Sequence, residues 1–133
     1  MKIDSTKLLR QKHIKVTPQR VSVLNIMTSG GHFTGEQIYN VLKRKMPSIS
    51  LSTVYSTLEV LEKNELVTSF EVNGMKWFES KTETHVNVFC INENKIMDVD
   101  LDTSWFLKEL RKKGIKASKV SIVAHSICNS KDT

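Results

Sequence analysis

The chain has 133 residues, 39% hydrophobic and 26% charged, with a net charge of +6. That length holds one ordinary domain or two small ones, and the composition is that of a globular protein rather than a disordered or membrane-embedded one. No apolar run reaches membrane-spanning length, Met1-Lys2-Ile3-Asp4 lacks the apolar core of an export signal, and two distant cysteines make no disulfide framework, so a reducing, cytoplasmic location is expected.

Asp4 or Ser5 can cap a first helix running to about His13, with Leu8 and Leu9 packing inward. Thr17 as N-cap with Pro18 at the first helical position starts a second, with Val21, Leu24 and Met27 or Thr28 as its apolar stripe and Gly30-Gly31 as its stop. Lys15 and Arg20 bracket that start, where they suit phosphates as well as plain solvent. Thr34-Gly35-Glu36-Gln37 is a capping box. Its helix is predicted to reach about Met46, with Ile38, Val41 and Leu42 inward and Lys43-Arg44-Lys45 outward, before Pro47 ends it.

Ser50 then caps a helix to Asn64 whose Leu51, Val54, Leu58 and Leu61 share one face. The opposite face carries Ser52, Tyr55, Ser56, Glu59 and Lys63, a set suited to base edges and phosphates, although an ordinary solvated helix can show the same pattern. Strand-like runs 66–72 and 75–80 follow, joined by Asn73-Gly74, the strongest two-residue hairpin signal. Three helices and a hairpin are the order of a winged helix-turn-helix, with Ser50–Asn64 in the recognition position. Charge agrees: residues 1–64 hold 10 Lys/Arg against 4 Asp/Glu, and residues 65–133 hold 10 against 10. The whole basic excess lies on the part predicted to meet a phosphate backbone.

After the polar linker 81–84, His85 to Ile91 alternates, with Val86, Val88 and Cys90 on one side and His85, Asn87 and Phe89 on the other. Asn92-Glu93-Asn94 turns into a second strand, 95–101. A helix over 105–113, with Trp105, Phe106, Leu107 and Leu110 as its apolar residues, ends at Gly114, and 119–127 alternates as a third strand. The fold class is therefore α/β (α+β): a winged helix-turn-helix domain, 1–80, followed by a small three-stranded α/β domain, 85–133. So small a sheet is expected to pair with a second copy of itself.

The strings Lys15-Val16-Thr17-Pro18-Gln19-Arg20, Thr34-Gly35-Glu36-Gln37-Ile38-Tyr39 and the run from Pro47 to Leu58, with Phe78-Glu79, His85 and Lys95-Ile96-Met97-Asp98, resemble the ferric uptake regulator (Fur) family of metal-responsive repressors. The resemblance runs from about residue 7 to residue 128. It implies a homodimer whose winged helix binds an AT-rich palindromic operator in double-stranded DNA and whose C-terminal domain dimerises. It also implies that Tyr55 packs on thymine methyls and that Lys15 reaches the minor groove. Arg20, Ser52, Thr53 and Ser56 complete the expected DNA-binding set. Ser56 stands where the family often has arginine, and serine cannot make arginine's bidentate contact to guanine.

The resemblance further implies one regulatory divalent metal per subunit, held by His32, Glu79, His85 and Asp98. Two imidazoles and two carboxylates suit Fe(II), Mn(II) or Zn(II). The family's His-x-His is here His85-Val86-Asn87, so Asn87 offers a weaker amide oxygen. That change, with Glu79 where the peroxide-sensing branch typically has Asp, argues against iron-catalysed oxidation of histidine ligands. The family's structural zinc sits on two Cys-x-x-Cys pairs, here reduced to Cys90-Ile-Asn-Glu93 and Cys128-Asn-Ser-Lys131. Lacking four ligands, that zinc is expected to be absent, with Cys90 and Cys128 left as two buried thiols in preference to a disulfide. His125 is expected to be a packed or edge residue rather than a ligand.

The expected function is a metal-dependent transcriptional regulator of metal-homeostasis or oxidative-stress genes. A winged-helix DNA-binding protein that has lost sensing is the alternative. A hydrolytic metal enzyme finds no nucleophile motif or phosphate loop to support it.

Overall fold

The computed structural model describes residues 4–129; Lys131 lies outside that range. The backbone divides between Thr82 and Glu83 into two compact units.

The first unit comprises α1 (Ser5–Gln11), α2 (Pro18–Thr28), β1 (Phe33–Thr34), α3 (Gly35–Leu42), α4 (Leu51–Lys63), β2 (Thr68–Val72) and β3 (Met75–Glu79). Each helix begins where its sequence supplies a cap: the side chains of Asp4, Thr17, Thr34 and Ser50 accept from Thr6, Arg20, Gln37 and Thr53 backbone N–H groups. Gln37 answers Thr34 by accepting from its N–H, closing the capping box. The core joins Leu9, Val23, Leu24, Met27, Ile38, Leu42, Val54, Leu58, Leu61 and Val67, with Phe78 from the sheet.

Several expectations are corrected. In α2 the fully buried residues are Val23, Leu24 and Met27, and Val21 is only half-buried. Helix α3 stops at Leu42 instead of reaching Met46; its exit is a tight turn in which the N–H groups of Lys45 and Met46 both donate to the Leu42 carbonyl. Val41 is 48% exposed, not inward. Successive helical residues are about 100° apart, so a buried arc centred on Ile38 and Leu42 leaves Val41 at its edge. Strand β1 was not expected; it lies beside β3, giving the order β1-β3-β2. The β2–β3 hairpin turns at Asn73-Gly74, both at positive φ as a tight hairpin turn requires.

The second unit comprises β4 (Val86–Cys90), β5 (Lys95–Val99), α5 (Ser104–Lys112) and β6 (Ile122–Ser126), with strand order β5-β4-β6. The strands β4 and β5 form an antiparallel hairpin, while β6 returns parallel to β4. A parallel return needs a crossover, and α5 provides it. No residue of α5 is fully buried, and Trp105 is 63% exposed. Strand β5 ends at Val99, short of Leu101.

Cys90 and Cys128 are joined in a disulfide, which corrects the expectation of two thiols. The cause lies in the register: parallel pairing sets Cys90 opposite Ser126, so the chain two residues on brings the Cα atoms of Cys90 and Cys128 to 5.3 Å. His125 lies opposite Phe89 in that ladder, and the two rings meet edge-on at 5.9 Å, a packing role.

Candidate functional site

The outward face of α4 holds Ser52 and Ser56 exposed, with Thr53 and Tyr55 half-buried. Ser50 ties the first turn together, with its hydroxyl 3.0 Å from that of Ser52 and 2.8 Å from that of Thr53. The Ser56 hydroxyl donates to the Thr53 carbonyl at 3.0 Å. Hydroxyls both donate and accept, so these contacts hold the groups on the surface without exhausting them. In the first turn of α2, Arg20 donates from its guanidinium to the Lys15 carbonyl at 2.8 Å and so braces the segment that exposes the Lys15 ammonium.

Tyr55 donates its phenolic hydrogen to the Glu36 carboxylate, whose two oxygens both lie at 2.9 Å. Burial, then the hydrogen bond and charge of Glu36, push the phenol above its ordinary pKa. The sequence pattern missed Glu36 because it lies on another helix, nineteen residues before Tyr55. It also missed Lys76, which lies over the Phe78 ring, 3.5 Å from a Glu62 oxygen. Tyr55, Glu59, Glu62, Lys63, Lys76 and Phe78 line a groove of about 400 Å³.

The metal candidates form two pairs, one in each unit. Phe33 stands opposite Phe78 in the β1–β3 ladder, so His32, just before β1, falls beside Glu79 at the end of β3. His32 Nε2 lies 2.7 Å from Glu79 Oε2, with side chains only 6% and 4% exposed. The edge of the imidazole meets Phe70 at 6.2 Å. An apolar wall beside a buried imidazole–carboxylate pair strengthens the attraction of that pair for a cation.

In the second unit His85 Nε2 lies 3.3 Å from Asp98 Oδ1. The other imidazole nitrogen, Nδ1, is 2.7 Å from the Glu83 carbonyl, which can only accept, so Nδ1 carries a proton. That arrangement turns Nε2 toward the carboxylate and fixes the ring as metal-binding histidines are commonly fixed. Asn87 is 2% exposed and stands opposite Asp98 in the ladder, on the same face of the sheet. Each pair sets an imidazole nitrogen beside a carboxylate oxygen, donor types that suit a divalent first-row ion.

A family model described as the ferric uptake regulator family matches residues 11–128. The chain belongs to the ferric uptake regulator family. This is a family of metal-responsive transcription regulators, not of enzymes, and its regulators are dimeric DNA-binding proteins. Over 97 residues the Fur-family chain is 31% identical to the peroxide operon regulator of Bacillus subtilis (strain 168), covering 71% of this chain and 67% of that protein. Among solved structures, it superposes on the Campylobacter jejuni peroxide stress regulator with a TM-score of 0.70 at 29% identity, over 96% of this chain and 99% of that one. The Vibrio cholerae ferric uptake regulator gives a TM-score of 0.77 at 22% identity, over 94% and 100%. At that lower identity the likeness speaks to fold alone. Among the described residues no helix is long and apolar enough to cross a membrane.

Proposed function

We propose that this Fur-family chain is a homodimeric, metal-dependent repressor that binds an AT-rich palindromic operator and controls metal-homeostasis or oxidative-stress genes. Residues 1–80 form its DNA-binding domain, with Lys15, Arg20, Ser52, Thr53, Tyr55 and Ser56 toward the duplex; residues 85–133 form its dimerisation and sensing domain. Within each subunit, His32, Glu79, His85 and Asp98 would hold one divalent ion, with Asn87 as a weaker amide donor.

The observation that carries this reading is the matching of each histidine with a carboxylate, His32 with Glu79 and His85 with Asp98. Each pair alone offers two ligands, too few for tight binding of a first-row ion. Both pairs acting on one ion would reach four and would couple the unit bearing α4 to the unit bearing β4. The ion supplies the positive charge that makes four electron-rich atoms favourable neighbours. Regulation is then population shift: the four ligands bind metal better in the DNA-competent arrangement, and DNA binding tightens by the same factor. Fe(II), Mn(II) and Zn(II) all suit this donor set. Likeness to proteins named as peroxide regulators favours oxidative-stress genes, whereas Asn87 in place of a histidine removes one oxidisable ligand.

The test is DNA binding by the metal-stripped full chain at fixed salt, against AT-rich palindromic duplexes. It is run in chelator and then with Mn(II), Fe(II) or Zn(II), beside His85→Ala. Metal should tighten wild-type binding and leave the variant unmoved. Equal affinity in chelator would instead point to the alternative, a metal-independent winged-helix binder that has lost sensing.

A further inference from the structure

We infer that Glu36 and Gly35 position the Tyr55 ring for base reading, so that Glu36 raises sequence discrimination while lowering overall affinity for DNA. This rests on the DNA-binding reading above and adds to it a residue of the sign least expected on such a surface.

Two contacts hold the outer end of the ring. At its tip, the phenol oxygen sits 2.9 Å from both oxygens of the Glu36 carboxylate. At the same end, the ring covers Gly35 so closely that a Cβ built there would lie 2.4 Å from the ring carbon bearing the hydroxyl, 2.6 Å from its neighbour and 2.8 Å from the phenol oxygen. Gly35 has no unusual backbone angle, so alanine fits the chain at this position and only the tyrosine would have to move. Tyrosine has two side-chain torsions, and Tyr55 is only partly buried against the core, so packing alone leaves its outer end room to swing. A tether on the phenol oxygen and a close contact under the adjoining ring carbons restrict that end, which lowers the ordering cost when a base edge is met.

A simpler role exists for Glu36. It lies in the first turn of α3, where a carboxylate stabilises the positive end of the helix. That role accounts for an acid at this position but not for the two-oxygen contact with Tyr55 or for the bare glycine beside it. The charge also has a cost: beside a residue facing the duplex it repels phosphate.

Four single variants and one double variant of the full chain, with added Mn(II), separate tether, ring contact and charge. The probes are the duplex that the wild type enriches from a randomised pool and a shuffled duplex of the same base composition. Glu36→Ala removes tether and charge; it should bind the shuffled duplex about two- to threefold more tightly, as loss of one screened repulsion allows. Its preference for the enriched duplex should fall about tenfold, the scale of one misplaced base contact. Glu36→Gln keeps a neutral acceptor, so it should share the tighter shuffled binding yet retain most of the preference. Gly35→Ala keeps the charge and moves the ring, so preference should fall with shuffled binding unchanged. Tyr55→Phe should lose preference as Glu36→Ala does, and adding Glu36→Ala to it should lower preference no further. If Glu36→Ala and Gly35→Ala both discriminate like the wild type, the positioning role is wrong. A helix-end role alone would lower thermal stability in Glu36→Ala and leave the preference ratio in place, which also overturns it. If the wild type itself enriches no sequence, the DNA-binding reading fails first, an outcome distinct from the other two.

Discussion

Asn92 and Cys128 hold each other twice: the Asn92 amide donates to the Cys128 carbonyl at 2.8 Å, and the Cys128 N–H donates to the Asn92 side-chain oxygen at 2.8 Å. Beside this clasp the Ile91 N–H donates to the Ser126 carbonyl at 2.8 Å, and the Cys90–Cys128 disulfide closes the same corner. The end of β6 is thus fastened to the end of β4 by main chain, side chain and covalent bond together.

The covalent member should dominate. It links residues 38 apart, and a closed loop of that size restricts the unfolded chain by about 4 kcal/mol. Replacing both cysteines by serine should lower the denaturation midpoint of the C-terminal unit by an amount that reductant reproduces in the wild type. Asn92→Ala should cost only about 1–2 kcal/mol, because its two hydrogen bonds are exposed. Identical unfolding curves with and without reductant would show that the link contributes nothing.

Thr34 serves β1 and α3 at once: it pairs with Trp77 across the ladder while its hydroxyl caps the helix. Thr34→Ala should therefore cost about 1–2 kcal/mol through the lost cap. Thr34→Ser, which keeps the hydroxyl, should recover most of it. Urea denaturation of both variants decides this, and equal losses would mean that the methyl group, not the cap, matters.

Caps are local, which is why the helix starts were legible in the sequence: Asp4, Thr17, Thr34 and Ser50 each bond backbone within three residues. The Asn73-Gly74 turn was legible for the same reason. What stayed hidden is long-range. Two residues of β1 carry no periodicity, yet their pairing with β3 is what sets His32 beside Glu79. The cysteine pairing depends on a parallel register between strands more than thirty residues apart. Family resemblance supplied the four metal candidates, because no spacing rule joins His32 to Glu79 or Glu36 to Tyr55.

Tyr55 should release its proton above the ordinary phenol value of 10, because burial and then Glu36 disfavour the phenolate. A pKa raised on folding contributes stability fully present below 10 and lost as pH rises through the folded-state value. The chain has two tyrosines, so Tyr39→Phe leaves Tyr55 as the sole phenol in an absorbance titration. Adding Glu36→Ala should lower the midpoint only in part, since burial is the larger cause. A midpoint unmoved by Glu36→Ala would show that the contact does not persist in solution.

Asn87 offers the most direct test of the proposed metal set. It is buried on the His85 face of β4 and stands opposite Asp98, so a ligand atom at this position faces the same side as the other two. Imidazole binds first-row ions better than a neutral amide oxygen. Asn87→His should therefore tighten Mn(II) or Zn(II) binding by about tenfold or more, whereas Asn87→Ala should weaken it by no more than about tenfold, the amide being the least of the donors. His85→Ala should abolish tight binding in every background, including Asn87→His, because it removes the one imidazole whose orientation the Glu83 carbonyl fixes. Isothermal titration of the metal-stripped protein measures all four variants against the wild type. If Asn87→His leaves affinity unchanged while His85→Ala removes it, the face of β4 contributes through His85 alone and Asn87 leaves the ligand set.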